Sequence, residues 1–404
     1  MSRGSPELIS AVPHPVTDAG WPGPCSCRRS IRSWGRTSTV KICHWSGPLP
    51  IARPHPRVAP FEGEPVKQIR EAGAASPEDL AALTTAAEPV VIRGLASHWP
   101  VAEAGRRGHG ALFDYLSGFD AGQSVATVFA PAEAGGRFFY GDDLKTLNFR
   151  GGRASLRKTF DFLAQHAESD EQAALAAQSV PAWNALPGFA EANPLPLLGP
   201  EIEPRVWIGN RVIVAAHNDP YENIACVAAG RRRFTLFPPD QVANLYVGPF
   251  EHTPAGATIS LVEFENPDLE RFPRFAQALE TAQTAELEPG DAIYVPYLWW
   301  HHVRSLDAVN MLVNYWWTPP APGRGLARDA FLHAILALRA LPPAHRAAWK
   351  ALLDHYVFGD ENDASAHLPI EAQGILGDLD ETAGREVLTA LSRALAEAAA
   401  AKRS

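Results

Sequence analysis

The chain has 404 residues, a formal net charge of -9 at pH 7, 46% hydrophobic residues and 20% charged residues. This composition fits a soluble globular protein of one large or two ordinary domains. The acidic balance argues against a general nucleic-acid binder, and no apolar run reaches the roughly 20 residues that a membrane helix needs.

Residues 1–58 differ from the rest. They hold eight Lys or Arg against two acids, with nine prolines and no helix or strand period. They are expected to be disordered. Cys25, Cys27, Cys43 and His44 lack the spacing of a zinc knuckle. An organellar transit peptide fits the bias loosely, and a start codon assigned too early is a third reading. Structure is expected from about Pro60. "SPEDLAAL" opens a helix, with Ser76 as cap, Pro77 in the first turn, and Glu78 and Asp79 favouring its positive end. "PVVIRGL" (89–95) and "SVATVFA" (124–130) read as short strands, and 155–190 as helix and loop.

From Arg205 the pattern turns β. "RVWIGNRVIVAAH", "NIACVAAG", "RRFTLF", "AIYVP", "HHVRSL" and "NMLVNYWW" are short strands between Gly, Pro and Asp turns, as in an antiparallel sandwich or barrel. Cys226, alone in an apolar strand, reads as a small core residue. The four cysteines form no disulfide framework, so a reducing cytoplasm is the default compartment. After Pro320 the pattern is helical to the end. The chain is therefore divided at 1–58, 59–320 and 321–404, the last a helical region.

Chemistry concentrates in the β region. On a strand, residues i and i+2 project to one side, so His217 and Asp219 stand together, with Pro220 ending the ladder beside them. Such a pair is either an ordinary polar patch or half of a metal site. A third ligand is offered by "WWHHVRSL". Arg304 favours solvent and shares a face with His302, so parity turns His301 inward and His302 outward. Two histidines and one carboxylate leave three positions open on an octahedral ion, the donor set of non-haem Fe(II) oxygenases. Fifteen residues after His217, parity also turns Arg232 inward with Phe234 and Leu236. An inward arginine needs an anion, either a ligand carboxylate or a buried Asp or Glu. Asn223 and Asn314 lie in apolar strands and offer hydrogen bonds to a small ligand, or act as local caps.

Together "RVWIGN", "HNDPYENIACVAAGRRRFTLFPPDQVANLYVGP", "GDAIYVPYLWWHHVRSL" and "NMLVNYWW" resemble the cupin-like JmjC-domain hydroxylases, in particular bacterial cupin-like proteins akin to factor inhibiting HIF. The likeness runs from about Pro89 to Pro319. It implies a mainly β fold, a double-stranded β-helix (cupin or jelly roll) flanked by helices, and an oxygenase dependent on Fe(II) and 2-oxoglutarate. The resemblance carries the metal-ligand role to His217, Asp219 and His301. Arg232 stands where the family has a lysine for the distal carboxylate of 2-oxoglutarate. Asn223, Asn314 and Trp316 match residues lining the cosubstrate. The family's upstream tyrosine has no counterpart in Ala173–Val180. The implied reaction couples oxidative decarboxylation of 2-oxoglutarate to hydroxylation of a C–H bond on a protein side chain or small metabolite. A redox-inert metal-binding cupin and a non-enzymatic regulatory module are the alternatives. The segment Phe250–Phe275, between the two ligand motifs, is expected to shape specificity. The apolar stripe Phe331, Ile335, Leu338 and Leu341 is expected to form a homodimer through the C-terminal helices, or else to cover the barrel.

Overall fold

The computed structural model describes residues 66–74, 76–169, 173–254, 256–318, 323–360 and 364–400. The expectation of disorder over 1–58, with Cys25, Cys27, Cys43 and His44, lies outside these residues. The described chain begins with β1 (Lys67–Gln68) and α1 (Pro77–Ala86). Ser76 Oγ accepts from the Asp79 amide at 3.2 Å, and the Asp79 carboxylate accepts from the Ser76 amide at 3.0 Å. This reciprocal cap satisfies two amides that no carbonyl of the helix can reach, so α1 starts at the residue its sequence marks.

Next come β2 (Val90–Ile92), α2 (Pro100–Arg106), α3 (His109–Ser117), β3 (Ser124–Ala130), β4 (Arg137–Phe138), β5 (Arg150–Ser155) and α4 (Leu156–Gln165). β6 (Ala174–Pro181), the short helices α5 (Ala182–Ala185) and α6 (Phe189–Ala192), and β7 (Arg205–Gly209) follow. The second half holds β8 (Ile213–His217), β9 (Glu222–Ala229), β10 (Arg232–Phe237) and α7 (Phe275–Thr281). It ends with β11 (Gln283–Leu287), β12 (Ala292–Val295), β13 (Trp300–Ser305) and β14 (Asn310–Trp317).

One sheet has the order β1-β11-β10-β13-β8-β4, the other β2-β12-β9-β14-β7-β6-β3-β5. From β7 onward the chain passes back and forth between them, which is the wrapping of a double-stranded β-helix. Ala225, Val227, Ile293 and Leu312 of the larger sheet meet Phe234, Leu236, Leu287 and Val303 of the smaller one in a shared core. A second core lies between the larger sheet's outer face and the helices, where Leu83, Val101, Leu112, Phe160 and Phe189 pack on Ile208, Cys226 and Val313. The smaller sheet's outer face is covered by the chain between β10 and β11, with Val262, Phe272 and Phe275 packed on Phe237 and Trp300.

The expectation of helix and loop over 155–190 holds for α4 but not for β6. "ALAAQSVP" is rich in alanine, which has a weak strand preference, so it carries no β signal of its own. Pairing on both sides, to β3 and β7, makes it a strand.

The chain divides into two compact units between Trp317 and Thr318. The second holds α8 (Ala327–Leu338), α9 (Pro343–Tyr356) and α10 (Glu381–Ala400), as the helical pattern there predicts. No helix among the described residues is long and apolar enough to cross a membrane.

Candidate metal centre

β8 and β13 are antiparallel neighbours, and they bring His217 opposite His301. Their pairing is not regular. Val303 pairs with Val214 and His301 with His217, so Ala215 and Ala216 together oppose the single residue His302. That extra residue is a β-bulge. Val214 packs into the core between the sheets, and strict alternation from it would turn residue 217 outward. The bulge turns His217 inward, onto the face of His301.

Asp219 follows in the β8–β9 turn. Its carboxylate Oδ2 lies 3.9 Å from His217 Nε2 and 3.7 Å from His301 Nε2. The two imidazole centroids are 4.2 Å apart, and the three ligand atoms all lie within 4.8 Å of one another. Each histidine turns its other nitrogen to a carbonyl: His217 Nδ1 donates to Ala215 O at 3.0 Å, and His301 Nδ1 to Trp299 O at 3.1 Å. A carbonyl only accepts, so each Nδ1 carries a proton, and each Nε2 is turned to Asp219. Burial, then the neighbouring His217, holds the His301 pKa down at about 4, so its imidazole is neutral. Two imidazoles and a carboxylate on one side of a small space fit a divalent ion. Donors on such an ion stand about 3 Å apart, so closing around it takes side-chain shifts of about 1 Å.

The turn before β13 is tied to the turn after β8. The Leu298 amide donates to Asp219 O at 3.0 Å, and Asn218 Nδ2 approaches Leu298 O at 3.5 Å. Leu298 has φ +60°, a left-handed conformation that costs a branched residue energy and is held here by its surroundings. Glu222 accepts from Tyr294 OH at 2.6 Å and from the Tyr297 amide at 3.2 Å, which fixes the same turn from the other side.

Below the triad, β10 places Leu236, Phe234 and Arg232 opposite His301, Val303 and Ser305. Arg232 is 5% exposed. Its flanking arginines face out and pair with acids, Arg231 with Asp307 and Arg233 with Glu286. Among the described residues the Arg232 guanidinium has no ion pair or hydrogen bond, and its Nε is buried without a partner. Burial alone lowers its pKa to about 10. A buried cation with no carboxylate beside it among the described residues is a place for an anion.

Asn223, Asn314 and Trp316 lie on β9 and β14 of the larger sheet, in step with Ala225 and Leu312 of the core between the sheets. Asn314 Nδ2 donates to Asn223 Oδ1 at 3.2 Å, and Trp207 Nε1 donates to Asn314 Oδ1 at 2.7 Å. Trp316 stacks on Tyr221 at 6.0 Å and meets Trp207 edge to face at 5.9 Å, and its indole Nε1 is buried without a partner. Trp207 and Tyr221 were not among the sequence candidates. Parity gives the signal for both: Trp207 shares a face with Arg205, and Tyr221 lies two residues beyond Asp219.

His302 is on the face opposite His301, as parity predicts, but it is 6% exposed rather than open to solvent. Phe264 of the segment between β10 and β11 packs on it, the two rings tilted and 4.8 Å apart. That segment also reaches the metal side, since Ile259 bridges to His217.

Residues 76–322 match the family of cupin-like domains. Lysine-specific demethylase 8 of Xenopus tropicalis is 29% identical over 238 residues, 57% of this chain and 48% of that protein. Lysine-specific demethylase JMJ31 of Arabidopsis thaliana is 37% identical over 103 residues, 26% of this chain and 18% of that protein. Human HSPB1-associated protein 1 is 39% identical over 118 residues, 28% and 23% of the two chains. The chain thus spans less than half the length of these relatives. The match covers most of the barrel, the strand order is that of a double-stranded β-helix, and the relatives include JmjC proteins, so the chain belongs to the cupin-like domain family and carries a domain of the JmjC type.

Proposed function

We propose that the protein is an Fe(II)- and 2-oxoglutarate-dependent oxygenase that hydroxylates a protein side chain or a small metabolite. The observation that carries this reading is the buried, unpaired Arg232 on the same inner wall as the His217, Asp219 and His301 cluster. A metal-only site has no use for a buried cation, whereas a metal-chelating dicarboxylate does. Bound iron and 2-oxoglutarate would supply oxidative decarboxylation of the keto acid coupled to hydroxylation of a C–H bond.

The chain's own residues supply positions and charges. His217 and His301 turn their Nε2 atoms to Asp219 because their Nδ1–H groups are held by backbone carbonyls, and Asp219 adds its carboxylate between them. Arg232 neutralises the distal carboxylate of the cosubstrate. Asn223 and Asn314 form one hydrogen-bonded pair beside it, and Trp316 walls the space with Tyr221. A protein substrate is favoured by the names of the relatives, two of which are called lysine-specific demethylases. The domain limits 59–320 and 321–404 belong to the same proposal. So does a homodimer through the C-terminal helices, supported by Leu336, Trp349 and Leu352, which α8 and α9 leave exposed. A cytoplasmic location is supported by Cys226, a free thiol.

The test is anaerobic. Fe(II) is added to the protein, 2-oxoglutarate is titrated, and a weak absorption band is sought at about 500 nm, the region expected of a keto acid chelated at an open Fe(II) site. The band is expected in the wild type and not in Asp219→Ala or His301→Ala, which keep the fold. Succinate released in air completes the assignment. Tight binding of zinc or manganese with no band and no succinate would instead establish a redox-inert cupin.

A further inference from the structure

β8 is covered on one edge by β13. On its other edge β4 pairs only with Ile213 and Val214. The bulge residues Ala215 and Ala216 lie beyond that short cover. A bulge interrupts the ladder, so its carbonyls need partners from elsewhere. One comes from the ligand itself, since His217 Nδ1 donates to Ala215 O. The other comes from the chain between β10 and β11: the Ser260 amide donates to Ala216 O at 2.7 Å.

Ser260 is wholly buried. Its hydroxyl donates to Leu245 O at 2.6 Å and accepts from the Val262 amide at 3.2 Å. Around it, the Gly248 amide donates to Ile259 O at 2.9 Å and the Leu261 amide to Tyr246 O at 3.0 Å. Residues 245–248 and 259–262 thus form a small ladder that ends against the bulge. Tyr140, Ala215 and Ile259 pack beneath it, and Arg137 holds it through Val262 O at 3.1 Å. This support is used at the metal side, where Ile259 bridges to His217.

From this arrangement we infer that Ser260 is a positioning residue for the metal centre. Its buried hydroxyl ties residues 245 and 262 of the ladder together, which sets the Ser260 amide on the Ala216 carbonyl and leaves the Ala215 carbonyl to His217, fixing the direction of the imidazole. The segment between the two ligand motifs therefore serves as the outer support of a ligand. The inference rests on the metal-centre reading above.

The experiment measures Mn(II) affinity by electron paramagnetic resonance on the full chain, with His217 nitrogen shifts recorded on the metal-free protein. Ser260→Ala is expected to weaken Mn(II) binding about tenfold, as losing support behind a ligand does elsewhere, and to move the His217 Nδ1 shift as its hydrogen bond to Ala215 O loosens. Ser260→Cys, nearly the same size with a poorer hydrogen-bonding group, gives a smaller loss in the same direction and serves if the alanine variant does not fold. Phe275→Leu, in the same segment but packed on Phe237 and Phe264 rather than on the ladder, is the control for stability and keeps wild-type affinity. Wild-type affinity in both Ser260 variants, or an equal loss in Phe275→Leu, overturns the inference. A wild type that binds no divalent ion overturns the metal-centre reading instead.

Discussion

Replacing Arg232 with methionine separates the cost of the buried charge from its use. In the ligand-free protein, burial lowers the guanidinium pKa from its ordinary range to about 10. At about 1.4 kcal/mol per tenfold, that difference puts about 3 kcal/mol against the charged folded form. The sign follows from linkage. The arginine stays protonated in the unfolded chain, so the cost is present throughout neutral pH and fades only as the pH rises past about 10. Methionine keeps most of the length and carries no charge, and loses some packing. Arg232→Met is therefore expected to be more stable than the wild type by about 1–3 kcal/mol without ligand, as when other buried charges give way to apolar residues. The assay is urea unfolding followed by tryptophan fluorescence, with Mn(II) and with or without 2-oxoglutarate. At a hundred times its dissociation constant, the keto acid should stabilise the wild type by about 2.7 kcal/mol and the variant by almost nothing. A ligand-free variant clearly less stable than the wild type would mean that the guanidinium already has a protein partner, and the argument for an anion site would fall.

Two further outcomes concern the scaffold. Burial first, then Arg137 and Arg304, holds the His302 pKa down at about 3. The unfolded chain takes up this proton near its ordinary value, so stability should fall as the pH drops below about 6.5, by up to about 1.4 kcal/mol per pH unit from this residue. His302→Phe, which keeps the packing on Phe264, should flatten that slope in urea titrations at pH 7 and pH 5, and an unchanged slope refutes the account. Gly105 in α2 lies against β9, where an added Cβ would sit 2.1 Å from Ala228 O. Gly105→Ala must lift the helix, and a fall of roughly 5 °C in the thermal midpoint is expected by scanning calorimetry; an unmoved midpoint would show that the helix yields freely.

Alternation along strands was the readable part of the site. It separated His301 from His302 and turned Arg232 away from Arg231 and Arg233, because side-chain direction in a strand depends only on local count. Non-local effects were not readable. β6 exists because β3 and β7 pair with it, and no property of its alanines announces that. His302 is buried because Phe264, thirty-eight residues earlier, comes to lie over it. The inward turn of His217 looked like ordinary alternation from the ligand to Asp219, yet measured from Val214 it depends on a bulge that "VIVAAH" does not display. The position of Phe250–Phe275 between the ligand motifs suggests specificity, whereas the geometry shows it bracing the outer side of the smaller sheet.

The bulge has a genetic consequence. Deletion of the Ala215 or Ala216 codon would leave a regular strand in which the histidine, now two residues after Val214, still faces inward opposite His301. Such a gene would still spell His-Asn-Asp, and its product would keep the core in register and the ligand on the inner face. What it would lose is the extra carbonyl that the bulge frees for the outer support. In related sequences, one or two residues between the Val214 position and the histidine are therefore both compatible with an inward ligand.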